Sequence, residues 1–337
     1  GYMSKNILID TTNTKETRIA VLENEKLDDF EIESNKKTAV KGDVYLAKIT
    51  RIEPSLQAAF VDFGGNRNGF LPLTEIHPDY FKIPAADEKK IKELSSKIFN
   101  KENIDDDFVD NEKNDELNEN KNEDLKDELV EDENTKPEKP KFKNKKLSPK
   151  KEYFNFFRKY KIQDVIRPRQ VILVQINKEE RGLKGAALTT YLSFAGRYCV
   201  LMPNSMNNDG ISRKIGDIEE RKKLKQILAS VAIPDRMSVI VRTAGIGRTK
   251  KEISKDLTFL VSQWNKIREI TLKSEAPKMI YEEGSILKRA IRDMLSEDVE
   301  KILVDGKDGY EKVKKITKNL VPTFTKKIKQ FKSNENS

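Results

Sequence analysis

Between residues 102 and 133 the chain carries 16 Asp and Glu against 3 Lys, and this tract governs how the rest can fold. So few apolar residues cannot bury enough surface to offset the entropy of ordering. A chain of 337 residues is also long for one compact domain, so two or three folding units are expected. The acidic tract leads into a basic one, "KPEKPKFKNKKLSPKKE", with 8 Lys over residues 136 to 152. The charged stretch, with its flanks, spans about residues 83 to 160 and opens with a short helical pattern. Most of it is expected to be disordered, either as a solvated spacer or as an acidic competitor for a basic surface. The whole chain has a formal charge of +9, and the acidic tract alone contributes −13, which leaves +22 on the remainder. A surplus of that size favours a polyanionic partner, because each neutralised phosphate releases counterions.

On either side of the insertion the pattern is that of short strands. "NILIDTTNTKETRIAVLENEKLDDFEI" alternates apolar and polar residues around two turns and reads as a meander. "DVYLAKITRI", "LQAAFVDFG" and "NGFLPLTEI" follow, and "QVILVQINKE" and "AALTTYLSFAG" resume after residue 168. Five strands interrupted once predict a small barrel with the insertion between its third and fourth strands. Beyond residue 196, "YCVLMPNS" and "MSVIVRTAG" read as strands around the helical "DIEERKKLKQILASV". A helix is predicted from Thr249, where Glu252 completes a capping box and Ile253, Leu257, Leu260, Trp264 and Ile267 form an apolar stripe. Trp264 is expected in the core. A strand, a helix, a strand and a helix come next, and no strong element is predicted after Pro322.

The chemistry on offer is narrow. One cysteine, Cys199, rules out an internal disulfide framework and a multi-cysteine zinc cage, and it is expected to act as a small buried hydrophobe. The single histidine, His77, precedes Pro78 and reads as a turn residue. Histidine-dependent and thiol nucleophilic catalysis are thereby disfavoured. No run approaches the roughly 20 apolar residues of a membrane span, and no apolar signal core is seen near Met3, the expected natural start. A cytoplasmic location is expected.

Two places could bind a ligand. In "AAFVDF" the pleat sends Ala59, Val61 and Phe63 to one face and Phe60 and Asp62 to the other, while in "NGFLPL" Phe70 opposes Leu71 and Leu73. If the aliphatic side is the interior, Phe60 and Phe70 lie outside on neighbouring strands. There they would stack bases on an OB-fold, with Lys184 as a nearby phosphate contact. The competing reading packs one Phe beneath the insertion. In "VRTAGIG", Arg242 offers a guanidinium fork, Thr243 a hydroxyl, and the glycines a close backbone approach. That stretch is either a phosphate grip or a polar strand end.

The run "KITRIEPSLQAAFVDFGGNRNGFLPLTEI", followed by "VQINKEERGLKGAALTTYLSFAGRY", "LMPNS", "ISRKI" and "VRTAGIG", resembles the amino-terminal half of the ribonuclease E/G family, its E branch more than its G branch. The resemblance implies an α+β multidomain fold, in which an RNase H-like subdomain is split by an inserted S1-type OB-fold β-barrel and a small α/β 5′ sensor domain. The implied boundaries are 3–38 and 250–337 for the RNase H-like parts, 39–190 for the barrel with its insertion at about 83–160, and 191–249 for the sensor. It implies that Phe60, Phe70 and Lys184 contact single-stranded RNA. Arg242 and Thr243, with Gly196 and Val200, would bind its 5′ monophosphate. Asp10 would be structural, and its use as a nuclease carboxylate is the weaker alternative. The family's magnesium-binding aspartates and zinc-linking cysteines are expected beyond Ser337, so this chain is expected to hold neither Mg2+ nor Zn2+ and to bind RNA without cutting it. The family's homotetramer would form through the same missing part, leaving this chain monomeric. A stand-alone S1-domain RNA-binding protein is the alternative from a different class.

Overall fold

The architecture follows from where each strand finds its partner. A computed structural model describes residues 4–34, 39–99, 149–205 and 209–331. The chain opens with the meander β1 (Lys5–Asp10), β2 (Glu16–Glu23) and β3 (Lys26–Ser34). Next come β4 (Val44–Glu53), β5 (Ala58–Asp62) and β6 (Gly69–Pro72), then helices α1 (Ala85–Phe99), α2 (Pro149–Phe157) and α3 (Ile162–Val165), then β7 (Val171–Lys178) and β8 (Ala187–Thr189). A third group holds β9 (Phe194–Ala195), β10 (Cys199–Met202), β11 (Gly210–Ile211), α4 (Ile218–Ser230) and β12 (Ser238–Val241). The chain continues through α5 (Lys250–Leu272), β13 (Lys278–Tyr281), α6 (Ile286–Met294), β14 (Val299–Asp305), α7 (Lys307–Leu320) and β15 (Ile328–Phe331).

β4, β5, β6, β8 and β7 pair in that order, and β4 pairs with β7 to close a five-stranded barrel, with β13 added alongside β4. Alternation drives the closure: Ala47, Ile49, Ala59, Val61, Leu71, Ile172, Val174 and Ile176 are almost wholly buried and form one interior cluster. The second sheet has the order β11-β12-β10-β9, and the third the order β15-β14-β1-β2-β3. In the third sheet, β14 runs parallel to both β1 and β15. The first and last described parts of the chain therefore build one sheet, with Ile7, Ile9, Ile19 and Val21 packed under Ile291, Val313 and Phe324.

Several expectations are corrected. The insertion over 83–160 opens with the expected helix, α1, but its basic far end, expected to be disordered, forms α2, and the two pack through Leu94, Tyr153 and Phe157. These few large apolar side chains hold a helix pair that the charge average concealed. The expected disorder of the acidic tract falls on residues outside those described. "AALTTYLSFAG" is not one strand: β8 ends at Thr189, and β9 belongs to the next sheet. The Lys-rich end after Pro322 contributes a 3-10 turn and β15, whose Ile328 is buried against β14. Across residue 249 the packing is continuous, with Ile253, Leu257, Leu260 and Ile267 of α5 against Cys199, Leu201, Val239 and Val241. The helix itself begins as expected, with Thr249 as N-cap and Glu252 completing the capping box. Trp264 packs, partly buried, against the same cluster.

Candidate nucleic-acid interface

On the outer face of the barrel, Phe60 of β5 and Phe70 of β6 are directly opposed in the strand register. Their rings meet edge to face with centroids 6.0 Å apart. Both remain half-buried while Ala59, Val61 and Leu71 point inward and are fully covered. A register shift in β4 between Ile49 and Arg51 sets Arg51 opposite Phe60, and its guanidinium lies 4.6 Å from that ring centroid. The Thr50 hydroxyl donates to the Phe60 carbonyl at 2.9 Å and accepts from the Asn68 amide at 3.1 Å, which fixes the strand behind the ring. Lys184 stands exposed in the hairpin where Arg181 and Lys184 bridge. The hairpin is tied to the platform, since Phe70 N–H donates to the Ala186 carbonyl at 2.8 Å and the Arg67 guanidinium donates to the Gly182 carbonyl. Gly185 permits this approach, because a Cβ there would lie 2.2 Å from the Asn68 carbonyl oxygen. An aromatic pair flanked by cations on a dry barrel can stack bases and neutralise phosphates.

The second site is built by long-range contacts. Arg242 follows β12, and its Nη1 donates to the Gly196 carbonyl at 2.7 Å and the Arg197 carbonyl at 3.2 Å. Its Nη2 donates to Asp293 Oδ1 at 3.0 Å. A guanidinium has five N–H donors, so these bonds fix its plane and leave two of them for a ligand. Thr243 beside it is exposed. Gly196 is required for a second reason: a Cβ there would meet both Asp256 carboxylate oxygens at 2.6 Å. That carboxylate accepts from the backbone amides of Arg197, Tyr198 and Cys199 at 2.8 to 2.9 Å. Burial pushes the Asp256 carboxyl above its usual range, and the three amides only partly offset it. Burial also works against ionisation of Asp293, but the Arg292 and Arg242 guanidiniums outweigh it and hold that carboxyl below the usual range. Arg292 in turn pairs with Glu283 at 2.7 Å. Val200 of β10 lines a neighbouring cleft of about 580 Å³ together with Ala195 and Arg292.

The remaining candidates are structural in their contacts. Cys199 is fully buried, and burial pushes its thiol up to about 12. His77 caps a turn, its Nδ1 accepting from the Asp79 amide at 3.0 Å. Asp10 ends β1, and its Oδ1 accepts from the Thr12 amide and hydroxyl at 2.9 and 2.6 Å. Among the described residues no three His, Cys, Asp or Glu side chains are grouped to hold a metal ion, and no helix is long and apolar enough to cross a membrane.

Sequence reasoning missed Arg51, Asp256 and Asp293. Asp256 left a readable signal, since it falls between Ile253 and Leu260 on the apolar stripe of α5, where a carboxylate must find buried donors. Asp293 left none, because it meets Arg242 only through the fold.

A closed five-stranded barrel with an edge-to-face aromatic pair and cations on its outer face defines an OB-fold. Residues 38–136 match the S1 RNA binding domain, and residues 193–337 match the Ribonuclease E/G family. The chain thus carries a ribonuclease E/G family domain joined to an S1 domain, whose barrel closes through β7 and β8 beyond the matched residues. It is similar to ribonuclease E of Haemophilus influenzae, at 36% identity over 97% of this chain and 28% of that protein. Ribonuclease E of Escherichia coli is 35% identical over 97% of this chain and 24% of its own length. Ribonuclease G of Salmonella typhimurium is more distant, at 24% identity over 99% of this chain and 54% of the relative. The chain therefore spans less than a third of the two ribonuclease E relatives.

Proposed function

We propose that this chain is the RNA-binding and 5′-monophosphate-sensing portion of an endoribonuclease of the ribonuclease E type. The observation that carries the reading is the opposed Phe60 and Phe70 pair on the barrel, with Arg51 against one ring and Lys184 on the adjoining hairpin. Single-stranded RNA lays successive bases on this pair while the cations meet its phosphates.

The sensor reading rests on Arg242. Two backbone carbonyls and Asp293 hold its guanidinium in place, so a terminal monophosphate meets donors that need no rearrangement. Thr243 supplies the hydroxyl, Gly196 the anchoring carbonyl, and Val200 the neighbouring wall. A triphosphate places two further phosphates against a site shaped by one fork and one hydroxyl. In this reading residues 191–249 are the 5′ sensor, with α5 packed against its core, and residues 3–38 and 250–337 form the RNase H-like subdomain, joined through the sheet of β1, β2, β3, β14 and β15. Asp10, occupied with its own turn, takes no part in cleavage. Magnesium would supply the activated water in the whole enzyme and zinc would link its subunits into a tetramer. Among the described residues no group of three His, Cys, Asp or Glu side chains offers either ion a ligand set.

Fluorescence titration of one RNA sequence bearing a 5′ monophosphate, 5′ hydroxyl or 5′ triphosphate, against wild type and Thr243→Val, tests the sensor. Wild type is expected to prefer the monophosphate. The exposed Thr243→Val change should remove a charge-assisted bond of about 1.5 to 3 kcal/mol, or roughly 10- to 150-fold in affinity, for that RNA alone. Equal affinity of wild type for all three ends would overturn the assignment.

A further inference from the structure

A second basic cleft lies on the barrel beside the aromatic face, and neither the stacking pair nor the phosphate site uses it. The segment around Lys82 and the approach to β7, Arg167 to Val171, enclose about 480 Å³. The lining residues include three cations, Lys82, Arg167 and Arg169, all exposed, and a single carboxylate, Asp79.

The frame beneath these cations is fixed. Arg169 N–H donates to the Ile49 carbonyl at 2.7 Å, and Ile49 N–H returns a bond to the Gln170 carbonyl at 2.9 Å. The Gln170 side chain donates to the Tyr80 carbonyl, and Lys82 N–H to the Val165 carbonyl, both at 2.7 Å. Arg167 is anchored through Nη1 to the Gln163 and Ile166 carbonyls. Arg169 itself has φ +70°, the left-handed region that glycine enters freely and an arginine does not. Every backbone bond made there would be made as well by glycine. What arginine adds at this position is a guanidinium on a rigid rim.

The strand register connects the cleft to the stacking face. Val171, which is 47% exposed, opposes Lys48 on β4, and Lys48 opposes Asp62 on β5, two residues from Phe60. Opposed residues share a face, so cleft, Lys48 and Phe60 lie on one continuous outer surface. At about 4.8 Å per strand, Val171 stands roughly 10 Å from the Asp62 column. A strand of the roughly 4 to 16 nucleotides that one OB-fold engages is long enough to reach both cleft and stacking face.

We propose that the Lys82–Arg167–Arg169 cleft is a second RNA contact, taking the phosphodiester backbone of the strand whose bases stack on Phe60 and Phe70. The proposal rests on the reading of the barrel as the RNA surface. The cleft extends the footprint and sets a minimum length for tight binding, and it reads no base.

The test uses the full chain and 5′-hydroxyl homopolymeric RNA of about 4 and about 16 nucleotides, titrated across a range of KCl concentrations. The variants are Arg169→Gly, Arg167→Ala/Arg169→Gly, and Phe60→Ala. Arg169→Gly keeps the backbone conformation, so its melting temperature is expected to stay level or rise. Its salt dependence on the longer RNA should fall by about 0.7 in log–log slope, and by twice that in the double variant, with several-fold weaker binding. The short RNA should bind all but Phe60→Ala as wild type does. Unchanged slope and affinity of the double variant on the longer RNA, with Phe60→Ala still weakened, would overturn the cleft and leave the platform standing. Equal losses on both lengths would overturn it as well, by showing only the effect of lowered net charge. No effect of Phe60→Ala on either RNA would bring down the barrel reading and the cleft together.

Discussion

Two of the proposed RNA sites on this chain, the aromatic face and the Arg242 site, are constructed in opposite ways. The aromatic face is a local product of strand alternation: Phe60 and Phe70 are placed by the pleat, and their neighbours Arg51 and Asn68 come from the adjoining strand and turn. The Arg242 site is assembled from distant parts of the chain, drawing on Gly196, Asp256 and Asp293 through contacts spanning 46 to 59 residues. A surface made by a repeating pattern can lose one side chain and keep its shape. A site made by buried long-range polar contacts loses shape and binding together.

The sharpest way to break the second site is Asp256→Ala. Three amides would be left buried without an acceptor, and the expected cost is about 3 to 5 kcal/mol of stability, measured by denaturant unfolding. A loss under 1 kcal/mol would mean that water replaces the carboxylate and that the anchoring is weaker than drawn.

The matching change on the barrel is Phe70→Ala. Stacking is worth about 1 to 3 kcal/mol per base, so RNA affinity should fall roughly 5- to 150-fold, while the unfolding midpoint moves little because the ring is half-exposed. A large drop in stability would place Phe70 among the packing residues instead.

The contrast also explains what could be read from the sequence. The three strands before the insertion, the outward placement of Phe60 and Phe70, and the Thr249 capping box all follow from periods of two or from residues three apart, and a linear pattern carries that information. Barrel closure was partly legible, but "AALTTYLSFAG" misled because Tyr191 to Ser193 turn the chain between two sheets with no glycine or proline to mark the bend. β15 was hidden because its partner β14 supplies the buried face, and only Ile328 of its four residues is buried. Arg242 was visible as a residue, yet the bonds that hold its plane were not.

The smallest expected effect concerns pH. His77 is the one histidine of the chain, and burial holds its imidazole below the usual value despite the nearby Asp79 carboxylate. Its Nδ1 must stay unprotonated to accept from the Asp79 amide. A depressed folded-state pKa means that the unfolded chain takes up the proton first as pH falls below about 6.5, so stability should decline from there until the folded pKa is passed. Unfolding followed from pH 7.5 to 5 should show this slope in wild type and lose it in His77→Gln. A slope retained in the variant would assign the effect to carboxylates.

The sheet joining the two ends of the chain has a consequence for synthesis. β1 cannot acquire its neighbour β14 until 294 residues have been added, the separation between Thr11 and the Asp305 carbonyl it bonds. At about 5 to 20 residues per second the β1–β3 hairpin leaves the ribosome roughly 15 to 60 s before its partner strand exists. Throughout that interval Val313 and Phe324, which pack with Ile7, Ile9, Ile19 and Val21 in the finished fold, have not been made. The barrel, complete by Thr189, can close during the wait. The newborn protein can therefore hold a finished barrel and its aromatic face while its first strands still await their neighbours.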